Sequence, residues 1–200
     1  MTSTGAVIFD LDGTLTVPVL DFDAIRTEIG IDSGPILEAI AQMQAPERER
    51  AEAILTAHES VAAHTATLQP GAAECIAALR ASGWPVGILT RNTTRWTRTI
   101  IERFAIKIDA LRTRDDGVIK PSPEPLYDLC AVLDRDVTKS WMIGDHWFDI
   151  ETGRRAGCKT MLMIGDRNPP SYAHHADYIV RDLGDVMAHV HQPIGERGLR

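Results

Sequence analysis

Chemically reactive side chains stand directly after short apolar runs at three separate places in the sequence. They are Asp10 with Asp12, Thr90 with Arg91 and Asn92, and Asp145, which is followed four residues later by Asp149. A lysine, Lys120, lies between the second and third places, in a loop flanked by Pro121. Carboxylates held close together resist ionising together, and a hard divalent cation with oxygen ligands, Mg²⁺ above all, removes that conflict. These residue types therefore predict a magnesium site with a hydroxyl and an ammonium group beside it.

The apolar runs that precede these side chains predict the strands of a parallel sheet. They cover residues 6–9, 86–89, 141–143 and 160–164 and show no alternation with polar residues. Such runs are typical of strands that are buried on both faces. Because parallel strands bring their carboxyl ends to the same edge of a sheet, residues far apart in sequence are expected to meet in one pocket.

Helical patterns separate the predicted strands. They cover residues 72–81, 93–104, 123–133 and 148–156, with Ser122 as the expected N-cap of the third and Pro123 as its first helical residue. A last strand is expected within residues 176–180. Strands that alternate with helices predict an α/β fold with a doubly wound parallel sheet.

One segment, residues 22–67, breaks this alternation because it contains two or three helical stretches and no convincing strand. We expect an all-helical cap at residues 18–69, inserted into an α/β core formed by residues 1–17 and 70–191, with a flexible tail at 192–200. In α/β proteins the ligand lies beyond the carboxyl ends of the strands. A cap that follows the first strand would therefore lie over the site.

The composition limits the partners and the compartment. Lysine and arginine number 21 against 28 aspartates and glutamates, a net charge of −7, which argues against binding nucleic acid or an anionic membrane through bulk charge. The N-terminus lacks the basic and apolar regions of a secretory signal, and no apolar run is long enough for a membrane span. Three widely spaced cysteines, Cys75, Cys130 and Cys158, suit buried thiols in a reducing compartment. We therefore expect a cytoplasmic protein whose partner is a small molecule, and its oligomeric state stays open.

Other metal and nucleotide sites fit less well. A calcium-binding EF-hand loop beginning at Asp10 needs Gly and Glu where the chain has Leu15 and Asp21. Neither a P-loop nor a G-x-G-x-x-G motif occurs in the sequence. His58 is expected to pack against a neighbouring helix, and a further set of histidines is expected to be structural or exposed; that set is His174, His175, His189 and His191.

Four short motifs together resemble the haloacid dehalogenase-like (HAD) hydrolases, in particular the phosphoglycolate-phosphatase-like branch with a small helical cap. The motifs, in family order, are DLDGT at 10–14, Thr90 at a strand end, Lys120-Pro121, and GDHWFD at 144–149. The family commonly has a small residue where this chain has His146. A single Asp-x-Asp-Gly could be an ordinary turn, but four motifs in order are specific.

The resemblance implies the chemistry of a phosphatase. Asp10 would attack phosphorus to form an aspartyl-phosphate, and Asp12 would act as general acid and then general base. Lys120 would neutralise negative charge in the transition state. The implied substrate is a small phosphate monoester such as phosphoglycolate or a sugar phosphate.

The resemblance also implies the binding residues. The Thr90 hydroxyl and the Arg91 amide would hold the phosphoryl oxygens, with a further contact from Asn92. The Mg²⁺ ligands would be Asp10, the backbone carbonyl of Asp12, Asp145 and, directly or through water, Asp149. Two alternatives stay open: a phosphotransferase of the phosphoglucomutase type on the same core, and a HAD-fold binding module without turnover.

Overall fold

The computed structural model describes residues 4–190, which form one six-stranded sheet flanked by helices. The strands are β1 Val7–Phe9, β2 Val86–Leu89, β3 Ala110–Arg112, β4 Trp141–Gly144, β5 Lys159–Met163 and β6 Tyr178–Val180. Their order across the sheet is β3-β2-β1-β4-β5-β6, and every neighbouring pair is parallel. The predicted α/β fold with a doubly wound parallel sheet is confirmed.

Eight α-helices lie in the described part of the chain. They are α1 Phe22–Ile29, α2 Ile36–Gln42, α3 Glu47–Thr65, α4 Ala72–Ala81, α5 Thr94–Arg103, α6 Glu124–Val132, α7 Trp147–Ala156 and α8 Leu183–Val190. The four helices predicted between the strands form within one residue of the expected ends, and three helices lie within residues 22–67. Neither β3 nor α8 was predicted, because β3 is a three-residue, half-buried edge strand and α8 follows the last apolar run.

The expected start of α6 was wrong by one residue. Pro123 itself is the N-cap, with no side-chain capping bond, so Ser122 does not cap the helix. The carbonyl of Pro123 accepts the N–H groups of Leu126 and Tyr127 at 3.0 and 3.1 Å, which makes it the first acceptor of the helix. Proline suits this position because it has no N–H to leave unpaired.

The core lies on both faces of the sheet, as the uninterrupted apolar runs require. Val7 and Phe9 point to the face covered by α4, α5 and α8, while Ala6 and Ile8 point to the face covered by α6. All four side chains are fully buried. The strands are therefore held in place from both sides, and their carboxyl ends form a fixed edge.

Helices α1 to α3 form a second apolar cluster, which consists of Ile25, Ile36, Ile40, Ala51 and Leu55. The end of α3 joins the main core instead, through Ala63 and Ala66. Arg103 of α5 donates hydrogen bonds to the carbonyls of these two alanines, at 2.6 and 3.3 Å. The three-helix segment is therefore anchored to the sheet at the end of α3.

The sheet order determines where the candidate residues meet. The chain runs outward from β1 through β2 to β3, then crosses back to β4 on the other side of β1 and continues to β5 and β6, so the strand order reverses next to β1. Ligands of open α/β sheets bind in the crevice outside the carboxyl ends of the strands at this reversal. Asp10, Thr90 and Asp145 follow or end β1, β2 and β4 and lie at this crevice.

The three cysteines are buried and unpaired, as expected. Burial raises the pKa of the Cys75 thiol to about 11 and that of Cys158 to about 12, so both are neutral thiols. Within residues 4–190, no helix has the length and apolar character needed to cross a membrane. The predicted tail and His191 lie outside the described residues.

Two substitutions in α6 test the packing of this layer. Leu126 is fully buried, and Leu126→Ala is expected to lower the free energy of unfolding by about 2–5 kcal/mol because it leaves a cavity under the sheet. Val132, on the same helix, is 74% exposed, so Val132→Ala should change the free energy of unfolding by less than about 0.5 kcal/mol. Urea denaturation measures both, and equal losses would contradict the packing described here.

Candidate active site

The loop after β1 turns tightly against the end of β4. The Asp10 N–H donates to the Ile143 carbonyl at 2.8 Å, and the Leu11 carbonyl accepts the N–H groups of Leu15 and Thr16 at 2.9 and 3.0 Å. Gly13 has a φ of +90°, and a Cβ there would lie 2.6 Å from Oδ2 of Asp145. Glycine is therefore required here for both its backbone angle and its lack of a side chain.

Lys120 joins two carboxylates at the centre of the site. Its Nζ donates to Oδ1 of Asp10 at 2.5 Å and to Oδ1 of Asp149 at 2.6 Å. The Lys120 side chain is only 2% exposed. Burial by itself lowers the pKa of Lys120, but Asp10 and Asp149 outweigh it and hold the pKa above its ordinary value. Lys120 is therefore a fixed cation.

Asp10, Asp145 and Asp149 form a group that suits a metal ion. One ligand oxygen from each carboxylate lies within 4.8 Å of the others. Burial, together with the neighbouring carboxylates, raises the pKa of Asp10 well above its usual value despite Lys120. Burial and Asp149 raise the pKa of Asp145 to about 6. Hard oxygen donors that repel one another in this way fit Mg²⁺.

Asp149 is positioned by the start of α7. His146 is the N-cap, its Nδ1 accepts the Phe148 N–H at 3.4 Å, and its own N–H donates to Oδ2 of Asp149 at 3.0 Å. The other Asp149 oxygen, Oδ1, accepts from Lys120. Asp149 was expected as a site residue, and the structure also makes it the acidic residue in the first turn of α7. His146, left without a role from sequence, has a capping role.

Asp12 is held by a residue for which a different role was predicted. The Asn92 side-chain amide donates to Oδ2 of Asp12 at 3.0 Å, and the Asn92 N–H donates to the Thr90 hydroxyl at 3.1 Å. Asn92 thus links the loops after β1 and β2, through its side chain to Asp12 and through its backbone N–H to Thr90. Burial raises the pKa of Asp12, although Asn92 and Lys120 partly lower it.

Two arginines connect the three-helix segment to the loops of the site. The Arg91 guanidinium binds the Lys120 carbonyl and both carboxylate oxygens of Glu38 in α2, at 2.9 and 2.6 Å. Arg114 pairs with both oxygens of Glu59 in α3 and donates to the Arg91 carbonyl at 3.3 Å. Sequence reasoning missed these pairs, since nothing local relates residues 23–55 positions apart in the chain.

Arg167 is a further residue that sequence reasoning missed. Its Nη2 lies 3.2 Å from Oδ2 of Asp145. The positive charge of Arg167 there partly offsets the rise in the pKa of Asp145 that burial causes. Arg167 follows the carboxyl end of β5, the same sheet edge as the other site residues. Its position after a predicted strand was a signal that could have identified it.

The histidines set aside from sequence lie away from the site. His58 contacts Glu28 of α1 at 2.8 Å, which is the helix-to-helix packing that was expected. His174 and His175 are exposed, and no group of potential metal ligands in residues 4–190 includes them or His189.

A cavity of about 690 Å³ lies between the sheet edge and helices α1 to α3. All eight side chains singled out from the sequence line it: Asp10, Asp12, Thr90, Arg91, Asn92, Lys120, Asp145 and Asp149. The structure therefore brings the predicted set together in one place.

Comparisons with known proteins agree with this arrangement. A family model described as haloacid dehalogenase-like hydrolase matches residues 4–157. The chain is 31% identical to an uncharacterised hydrolase of Saccharomyces cerevisiae, covering 91% of this chain and 88% of that protein. It is also 31% identical to an N-acetylmuramic acid 6-phosphate phosphatase of Pseudomonas aeruginosa, covering 91% and 94%. The crystal structure of a hydrolase from Pseudomonas syringae has the same fold, with a TM-score of 0.79 at 20% identity over 94% and 98% of the two chains.

Gly144, the last residue of β4, tests how tightly the carboxylates are packed. A Cβ at Gly144 would lie 2.1 Å from Cγ of Asp149, so Gly144→Ala should displace that carboxylate and lower the free energy of unfolding by about 1–3 kcal/mol. Gly87 in β2 is the control, because the nearest atom to a Cβ there is the end of the Ile8 side chain, at 2.8 Å, and the next are at ordinary contact distance, 3.6 Å. Urea denaturation should show a smaller loss for Gly87→Ala; the reverse order would contradict this geometry.

Proposed function

The chain belongs to the haloacid dehalogenase-like hydrolases, and we propose that it is a Mg²⁺-dependent phosphatase that cleaves a small phosphate monoester through a phosphorylated Asp10. Residues 18–69 are proposed to act as the cap over the site. The observation that carries the proposal is the buried ammonium group of Lys120 between Asp10 and Asp149, with Asp145 beside them. The likeness to the Pseudomonas aeruginosa phosphatase supports a phosphate ester as substrate.

Asp10 is the proposed nucleophile. A carboxylate oxygen of Asp10 attacks phosphorus, the bond from phosphorus to the alcohol oxygen breaks, and the phosphoryl group remains on Asp10 as an acyl phosphate. Lys120 contacts Asp10 at 2.5 Å and so lies where negative charge collects as a carboxylate approaches a phosphate dianion. Its fixed charge lowers the repulsion between the two anions.

Asp12 is the proposed acid and base. It donates a proton to the departing alcohol oxygen, and then removes a proton from the water that attacks the acyl phosphate and regenerates Asp10. The raised pKa of Asp12, caused by burial, favours a carboxyl group that holds its proton for the first step. Asn92 fixes the orientation of Asp12 through its 3.0 Å hydrogen bond.

Asp10, Asp145 and Asp149 are the side chains that would hold Mg²⁺, together with the Asp12 carbonyl. When bound, the ion supplies positive charge next to the transferring phosphoryl oxygens. The Thr90 hydroxyl accepts from the Asn92 N–H and keeps its own proton for donation to a phosphoryl oxygen. Thr90 is therefore the proposed phosphate-binding hydroxyl, with the Arg91 amide beside it.

Asp10→Asn tests the nucleophile. We expect it to lower kcat for 4-nitrophenyl phosphate by about a thousandfold or more, because an amide oxygen does not form the acyl phosphate. Asp128→Asn, at an exposed position outside the cavity, is the control and should retain full activity. Phosphate release is measured with and without Mg²⁺ and after adding a chelator. Activity that survives Asp10→Asn or chelation would contradict the proposal.

Asp12→Asn tests the division of labour between the two aspartates. Because 4-nitrophenolate leaves without a proton, Asp10 should still be phosphorylated in this variant, while attack by water slows and the phosphoenzyme accumulates. Mass spectrometry after an acid quench should detect one added phosphoryl group on the peptide that contains Asp10. The double variant Asp10→Asn/Asp12→Asn should carry none; an equal mass gain there would place the phosphoryl group elsewhere.

The phosphotransferase alternative predicts a different product from the same residues. A phosphatase releases inorganic phosphate from a sugar phosphate, whereas a phosphotransferase returns the phosphoryl group to a sugar. Product analysis of a sugar phosphate incubated with the protein and Mg²⁺ distinguishes the two.

A further inference from the structure

We propose that the leaving group of the substrate is uncharged and presents a ring-sized apolar face, and that Trp147 is the residue that selects for it. This inference rests on the proposed function and narrows its substrate class. It favours an ester of a neutral alcohol over one such as phosphoglycolate, whose leaving group carries a second negative charge.

The first argument is the charge balance of the cavity. Three arginines line it, and each is already paired with a carboxylate of the chain: Arg26 with Asp23, Arg91 with Glu38, and Arg114 with Glu59. Lys120 is occupied by Asp10 and Asp149. Among the described residues that line the cavity, every lysine and arginine thus has an anionic partner within the chain. A second anionic group on the substrate would find no cation among these residues without a carboxylate partner, and it would compete with that partner.

The second argument is the aromatic surface beside the metal-binding carboxylates. Three ring-bearing side chains, His146, Trp147 and Phe148, follow Asp145 directly in the chain. All three line the cavity and lie side by side; the ring centroids of His146 and Trp147 are 4.8 and 4.5 Å from that of Phe148. We call these three residues the aromatic wall.

The aromatic wall is held firmly. The Arg91 guanidinium lies 4.0 Å from the centroid of the Phe148 ring, and the capping bonds of His146 fix the first turn of α7. Because the same turn carries Asp149, the wall has a fixed distance from the reacting centre. A rigid ring surface loses little entropy when a ligand stacks on it.

The third argument is the location of exposed apolar side chains. Three Phe, Tyr or Trp side chains are exposed in residues 4–190, and two of them, Phe22 and Trp147, line this cavity. Phe22 at the start of α1 is 51% exposed and Trp147 is 36% exposed, with Val19 near Phe22 in sequence 44% exposed. Removing exposed apolar surface from water lowers the free energy, so a ligand that covers these side chains binds more tightly. Since the same cavity contains Asp10 and Lys120, the ligand that covers it is the substrate.

Binding of phosphonates, which resist hydrolysis, tests this inference independently of turnover. Calorimetry in the presence of Mg²⁺ would compare propylphosphonate, 3-phenylpropylphosphonate and 3-phosphonopropionate. The phenyl compound should bind about tenfold more tightly than the propyl compound, because its ring is buried against the aromatic wall. The carboxylate compound should bind no better than the propyl compound.

Trp147→Ala provides the matched variant. It should reduce the advantage of the phenyl compound over the propyl compound to about twofold or less. Tyr127→Ala removes an exposed aromatic residue outside the cavity, and it should leave the tenfold ratio unchanged.

The outcomes separate the two proposals. If 3-phosphonopropionate binds most tightly, if the phenyl ring brings no gain, or if no phosphonate binds, the inference is overturned. If the phenyl compound binds best but no phosphate ester is hydrolysed, the inference about the cavity stands and the proposed phosphatase activity fails.

Discussion

The buried contact between Lys120 and the carboxylates is the constraint on which the site depends. Taking ions out of water costs several kcal/mol each, and the cost is recovered only where opposite charges and hydrogen bonds replace the water. Asp10 and Asp149 are both buried, and a single ammonium group contacts both, at 2.5 and 2.6 Å. Removing Lys120 would leave the two carboxylates facing each other without a cation between them, so the lysine is required for the structure of the site.

The first turn of α7, which begins at Trp147, holds one of the two carboxylates, Asp149, in contact with Lys120. This turn offers backbone N–H groups, and Asp149 accepts one of them from His146 while its other oxygen accepts from Lys120. The Asp149 carboxylate thereby caps α7 and also pairs with Lys120. Gly144 makes this possible, because any side chain at the end of β4 would occupy the space of Asp149.

The features that depend on where strands end could be predicted from the sequence. Apolar runs predicted the strands, and the parallel sheet then required Asp10, Thr90 and Asp145 to meet at one edge. The side-chain partners were not predictable in this way. Asn92 was expected to bind phosphate, but its contact with Asp12 at 3.0 Å was not predicted, and Arg114 was not singled out although it pairs with Glu59. Both contacts join residues far apart in the chain, and only the packing of α3 against the sheet brings the second pair together.

These long-range ion pairs connect the helical segment to the loops of the candidate site. Arg91 binds Glu38 of α2 and also the carbonyl of Lys120, while Arg114 binds Glu59 of α3 and the carbonyl of Arg91. Each guanidinium therefore spans from a helix of the segment to a loop that carries Thr90 or Lys120. A movement of α2 or α3 away from the sheet must separate Glu38 or Glu59 from its arginine, or else shift that loop. Since Arg114 and Glu59 are largely shielded from water, with side chains 16% and 4% exposed, their attraction is screened less than that of a surface pair, and it holds α3 against the loops of the site.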